Sequence, residues 1–374
     1  MAHAYTPGLK VLKHSKVTKE RRLPMKGEVV VEQGSLVTAD HIVARTFIPG
    51  NVQIVNVANL LNVDPADVSE VMVAKKDGEI GEGDLLAETQ GIFGMFKSKT
   101  TSPVSGTVES ISTVTGQVIL REAPLPVEVD AYIAGNVAEI ITDEGVHIES
   151  IGVFIQGIFG IAGEKRGNLE LIVKSRDDEI TPEMINDSHK NKILVGGSHI
   201  TLQAYKKAVD IDVHGIIVGG FNYHDLKPLL GYSLGVAITG SEKLATSLIV
   251  TEGFGKIPMG ERTFDILLEF KGKFASINGA TQIRAGVIRP EIVIPFDDET
   301  KVGTEHHDTS LGITDGSLVR VIRAPFFGKM GSVKSLPSEL HKMESETMVR
   351  VAEVDIDGET MTIPRANLEM VETD

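Results

Sequence analysis

From Lys26 onward, short apolar runs alternate with glycine turns at a spacing too tight for helices. Lys26 to Arg45 carries an apolar run at Val29–Val31, a turn at Gly34, and a second run at Ile42–Ala44. Such a pattern predicts a compact β hairpin unit. Related units recur over 77–88, 106–120 and 135–149, and the pentapeptide Gln-Gly-Ile-Phe-Gly occurs at 90–94 and again at 156–160. Hairpins of this length bury their apolar faces only by packing on one another, so residues 27–165 are expected to form one β domain. A helical interruption is expected after Asp64, a good N-cap with Pro65 at the first helical position.

The period changes between residues 190 and 296. Short buried strands at Lys192–Val195 and Gly215–Val218 flank a helical stretch over Ile200–Val209, which is a βαβ unit with a parallel pair. Helices over Tyr223–Leu230 and Gly260–Phe270 are expected to alternate with strands at Gly235–Thr239, Ser247–Thr251, Phe274–Ile277 and Ile292–Ile294. This alternation predicts a central α/β domain. Residues 297–312 are polar and read as a linker. Residues 313–374 return to short strands, with a hairpin at Asp357-Gly358, and predict a small β barrel.

Composition narrows the chemistry. The chain has 374 residues and no cysteine, so disulfides and thiolate sites are excluded. It has no tryptophan and only 5% aromatic residues, which disfavours a base-stacking surface. No apolar run approaches the ~20 residues of a membrane helix, so no membrane insertion and a cytoplasmic location are expected. The net charge of −15 opposes a phosphate backbone, and RNA is a weak expectation. The charge is uneven: residues 1–26 hold seven basic side chains and one acidic, whereas 27–150 hold six basic and nineteen acidic. The first stretch is expected to be a solvated basic leader lying over the acidic domain behind it.

The β domain resembles a barrel-sandwich hybrid. Gly-Glu-Val-Val-Val at 27–31, Gly-Asp-Leu-Leu-Ala-Glu at 83–88 and Thr-Ser-Pro-Val-Ser-Gly-Thr-Val at 101–108 carry the likeness. It is shared by biotinyl and lipoyl carriers and by the RnfC and NqrA subunits of electron-transport systems. Lys97 and Lys99 precede Pro103 without the carrier tip, so no covalent cofactor is expected, and the apolar stretch 91–96 is expected to pack against a neighbouring surface. At the C-terminus, Gly316-Ser-Leu-Val-Arg-Val, Pro325-Phe-Phe-Gly-Lys-Met-Gly-Ser-Val and Ile363-Pro-Arg-Ala-Asn-Leu-Glu resemble a KOW domain, the SH3-like barrel of NusG-type elongation factors and several ribosomal proteins. That resemblance implies docking to RNA polymerase or a ribosomal component.

Candidate sites follow. Gly196, Gly197 and Ser198, with Gly219 and Gly220, follow two successive strands at the edge where α/β sheets bind ligands. They either present N–H groups to an anion at a helix start or make tight turns, with Ser198 or a neighbour capping the helix. In the barrel, Phe326, Phe327, Lys329 and Arg323 are the partner-binding candidates, one phenylalanine filling the core and the other anchoring a partner. Arg320, Arg323, Lys329 and Lys334 cluster around the signature loop and either form a local basic lip or leave Arg320 and Arg323 alternating outward as solvated partners of Glu353 or Asp355. His306, His307 and Asp308, with the acids at 297–299, have metal-ligand types but sit in the linker, and no metal, cofactor or catalytic set is expected. The chain therefore reads as a non-enzymatic adaptor of the transcription or translation machinery. Two alternatives stay open: an accessory of an electron-transport or phosphate-ligand enzyme system, and a self-assembling structural protein.

Overall fold

The computed structural model describes residues 9–90, 97–231, 240, 242, 244–282, 288–296, 313–322, 325–326, 329–337, 339–342 and 348–373. Strands dominate, and nineteen of them join into one large mixed sheet. The sheet's spine is the strand Leu9–Arg22, which pairs antiparallel with Gly145–Gln156 from Val11↔Ile155 to Arg22↔Gly145. The basic stretch is thus a structural strand, in place of the solvated leader expected from its charge. Leu9, Val11 and Val17 are buried, while the cations reach acids of the body. Lys16 meets Glu149 at 2.8 Å, Lys19 meets Glu291 at 2.5 Å, and Arg21 meets Glu164 at 2.6 Å.

Residues 51–122 form a separate module. A four-stranded sheet of Val52–Asn56, Gln117–Glu122, Gly106–Ile111 and Glu79–Ile80 packs with two short helices around Val57, Leu61, Val68, Leu86, Val108, Val118 and Leu120. Asp64 caps as expected: its carboxylate accepts from Ala66 N, and Pro65 opens a 3₁₀ turn that runs into the helix Val68–Val71. Two strands form the neck to the body. Ile42–Ile48 pairs with Leu125–Asp130, and beyond Pro49-Gly50 and Ala123-Pro124 the same two chains pair again as Val52↔Arg121. A Cβ on Gly50 would lie 2.1 Å from Glu122 O, so only glycine allows the two chains to approach this closely at the kink. The rest of the expected β domain shares its core with other parts of the chain, since Val43, Ile133 and Ile148 pack with Val17 and Val293.

The α/β part has a parallel run of Glu164–Leu171, Ile193–Val195, Gly215–Phe221 and Ser247–Phe254. The two middle strands are buried along their whole length, as strands covered on both faces must be. Helices Leu202–Asp210, Tyr223–Leu230 and Glu261–Glu269 match the expected segments. Thr201 and Asn222 cap the first two, and Gly231 at φ 77° ends the second. The strand expected over Gly235–Thr239, the stretch 91–96 and the linker with His306, His307 and Asp308 lie outside the described residues.

At the C-terminus, Leu318–Val321, Met330–Ser335, Met348–Ile356, Glu359–Pro364 and Leu368–Thr373 form a curled antiparallel unit. It has its own core of Val319, Val321, Val333, Ala352, Val354, Ile356, Ile363 and Leu368. Asp357 and Gly358 both take positive φ, the two-residue hairpin expected there. The last strand adds in parallel to the first, Leu9↔Val371, and so joins the two ends of the described chain. Among the described residues, no helix is long and apolar enough to cross a membrane.

Candidate functional site

The strand Leu318–Val321 decides where the C-terminal unit meets the α/β part. Val319 and Val321 face the unit's own core, so Arg320 faces outward by alternation. That outward face is covered. Arg320 is 2% exposed, and its guanidinium donates to Glu369 Oε2 at 2.6 Å, to Glu252 Oε2 at 3.2 Å and to Thr251 O at 3.3 Å. The expectation of a solvated Arg320 paired with Glu353 or Asp355 is corrected: Glu353 accepts from Ser335, and Asp355 pairs with Lys334 at 2.8 Å. The Lys334 ammonium holds the Asp355 carboxyl below the usual carboxylate range. Glu369 stands opposite Arg320 in register and also pairs with Arg289. Glu252 accepts the N–H of Gly260 at 2.8 Å, so the carboxylate that binds Arg320 also occupies the start of the helix Glu261–Glu269.

Above this network lies a cleft of about 900 Å³ between that helix, the first strand and the C-terminal unit. Leu9, Val11, Ile257, Ile266, Met330 and Val371 give it apolar walls. Charges ring it in pairs: Lys13 with Glu269 at 2.8 Å and Lys329 with Asp357 at 2.8 Å. Arg176 donates to Met259 O at 3.2 Å, and Arg262 Nε donates to Val11 O at 3.4 Å. The described lining contains no histidine or cysteine, and Thr263 is its one hydroxyl-bearing residue. An apolar floor with both signs of charge on its rim suits an extended peptide segment better than a single small anion.

The glycine candidates support this cleft from behind. Gly196 N donates to Ile217 O, Ser198 N to Asp178 O and Gly219 N to Gly197 O, which commits these N–H groups to the backbone. Ser198 is buried, with Oγ on Asp177 O at 2.7 Å, and the strand His199–Ile200 separates it from the helix that Thr201 caps. The expected helix start at 196–198 is therefore corrected. Gly219 and Gly220 lie inside the strand Gly215–Phe221, not in a turn after it. A Cβ on Gly197 would lie 2.5 Å from Asp178 O, and on Gly219 or Gly220 2.2 or 2.1 Å from the carbonyls of Ile257 or Gly255. These glycines let two loops lie directly on the sheet edge, and the loops carry Arg176, Ile257 and Pro258 to the cleft wall.

Of the partner-binding candidates, Lys329 lines the cleft, whereas Phe326 is half-buried against the C-terminal core. Phe327 and Arg323 lie outside the described residues. Lys97 and Lys99 both pair with Glu88, at 2.5 and 3.4 Å, and hold its carboxyl below the usual range. Sequence reasoning missed Arg289, Glu369 and the reach of Glu252 to Arg320. Only Glu369 left a signal, its place opposite Arg320 across two strands.

A second polar cluster fixes the crossing of the long first strand. Arg21 holds Glu164 and Asp130, Arg166 holds Asp130 and Asp40, and Arg21 also lies 5.3 Å from the centroid of the Tyr132 ring. Tyr132 is buried at φ 65°, with its N–H on Asp130. Burial, with Glu291 and Glu164 nearby, pushes its phenol well up. No group of three or more metal-ligating side chains forms among the described residues. No family model matches the chain, and a search of curated proteins finds no match.

Proposed function

We propose that this protein is a non-enzymatic adaptor that grips a segment of a partner protein in the cleft beneath its C-terminal unit. The observation that carries the reading is the cleft itself, about 900 Å³ with apolar walls and a rim of opposite charges. The strand pattern of residues 318–373 supports a KOW-type barrel, and the partner is then a component of the transcription or translation machinery. The module 51–122 supports the barrel-sandwich likeness through its own small β core. The phosphate-ligand alternative loses its main support, because the N–H groups of Gly196, Ser198 and Gly219 are already bonded. Residues 313–374 hold seven basic and eleven acidic side chains, which favours a protein over RNA.

Cross-linking and pull-down of the full-length chain from native lysate tests the reading. Polymerase or ribosomal subunits should be captured by the wild type and lost with Ile257→Glu, which places a charge on the half-exposed cleft wall. Lys329→Ala should slow capture and alter its salt dependence more than its final extent. Equal capture by the folded Ile257→Glu variant would place the docking surface elsewhere.

A further inference from the structure

The strand Val52–Asn56 is the free edge of the four-stranded module sheet. Its described hydrogen bonds go to Gln117–Glu122 on one side, and among the described residues no backbone group bonds its other side. The side chains there are apolar yet open to solvent: Val52 is 45% and Ile54 54% exposed. Phe47, Ile48 and Leu125 continue the exposed apolar surface into the neck, where Ile48 stands opposite Leu125. The edge is accessible, because Arg121 to Gly50 O is the one hydrogen bond that leaves residues 51–122 among those described.

The charge pattern identifies what covers this edge. From Thr46 to Val63 there is no charged residue, in a chain that is 24% charged. A partner of opposite charge would find nothing in this stretch to recognise. A second copy of the chain is different, because a twofold interface sets each residue against its own equivalent or near neighbours. Any charge on the edge would then face its like, and here there is none. Of the polar side chains on the strand, Asn56 caps the following helix by accepting from Asn59 N, and the amide of Gln53 carries both donor and acceptor and so complements itself.

We propose that two copies of this protein associate through antiparallel pairing of Val52–Asn56 with its equivalent, with Ile54 meeting its own equivalent at the twofold axis and Val52 flanking it on the same face. The pairing completes the ladder that an edge strand otherwise leaves open. It uses a surface separate from the cleft, so it stands or falls independently of the adaptor reading.

Sedimentation velocity of the full chain against concentration, at low and at high salt, tests the proposal. Dimer should form, and should strengthen at high salt, because screening relieves repulsion between two bodies of charge −15 while the edge has no charge to screen. Ile54→Lys and Ile54→Glu should each be monomeric, and mixing the two should restore association by pairing opposite charges. Circular dichroism should show both folded, since Ile54 lies outside the core. Val114→Lys, at an 86% exposed turn position, should dimerise normally. A wild type that stays monomeric at every concentration, a dimer that high salt dissolves, or an Ile54→Lys variant that still dimerises would each overturn it.

Discussion

Replacing Arg320 by Ala separates a buried ionic anchor from a decorative surface pair. The side chain is 2% exposed and reaches two carboxylates that are themselves 9% exposed. Were Arg320 a solvated strand residue, its loss would change stability by roughly 0.5 kcal/mol, the usual worth of an exposed pair. Removing one partner of a buried network instead leaves uncompensated charge and costs about 3–5 kcal/mol. Here each carboxylate keeps one donor, Gly260 N–H for Glu252 and Arg289 for Glu369. The expected loss therefore falls at the lower end, about 3 kcal/mol. Glu252→Gln keeps an oxygen for Gly260 N–H but turns its NH2 toward the Arg320 guanidinium, losing the charge and one acceptor, so about 1.5–3 kcal/mol is expected. Arg320→Met retains the apolar stem and should be nearly as harmful as Ala, which separates charge from packing.

Because the C-terminal unit has its own core, a single unfolding midpoint can mix two events. Urea unfolding by circular dichroism should thus be joined to amide hydrogen exchange. Protection should fall along Leu318–Val321 and at the Leu9–Val371 junction and persist in Ile193–Val195. An Arg320→Ala variant within about 0.5 kcal/mol of wild type, with unchanged exchange at that junction, would refute the anchor.

Three further outcomes follow from the same geometry. Gly220→Ala sets a Cβ 2.1 Å from Gly255 O, so the loop must move, and thermal unfolding should show a loss of about 1–3 kcal/mol. His147 faces Glu139 at 2.9 Å and Glu20 at 3.4 Å, and these carboxylates raise its pKa. Its contribution is fully present below the unfolded value of about 6.5 and is lost as pH rises through the higher folded value, so the stability gap between wild type and His147→Gln should be widest in acid and close in alkali. Burial pushes the phenols of Tyr132 and Tyr205 up, so ultraviolet titration should leave these two un-ionised until the chain unfolds.

Period and punctuation made the α/β part readable. Its helices fell where apolar residues recur at helical spacing, a property of a few neighbouring residues. The Asp357-Gly358 hairpin was readable for the same reason, since two positive φ values select those residue types. The glycines at 196–197 and 219–220 were located but misassigned. A glycine that makes room for a carbonyl from a distant loop looks the same in sequence as one that turns a chain or offers an N–H.

What stayed hidden has one physical cause: local pattern sets which way a side chain points, but not what covers the face it points to. Alternation places Arg320 outside its own small core, and nothing within that strand shows that Thr251 and Glu252 lie on top. The basic stretch is the same problem seen from the other side. Lys and Arg at 10–22 look solvated until the acids at 149, 164 and 291, more than a hundred residues away, are brought beside them. The exposed Lys16–Glu149 pair is worth little, and for the mostly buried Lys19 and Arg21 pairs desolvation offsets much of the attraction, so they do not drive the strand into place. The burial of Leu9, Val11 and Val17 does, at roughly 1.5–3 kcal/mol for each fully buried side chain. The charges then help to fix the register, because Lys19 and Arg21 share the inner face with Val17, and sliding the strand by one residue would part them from Glu291, Glu164 and Asp130.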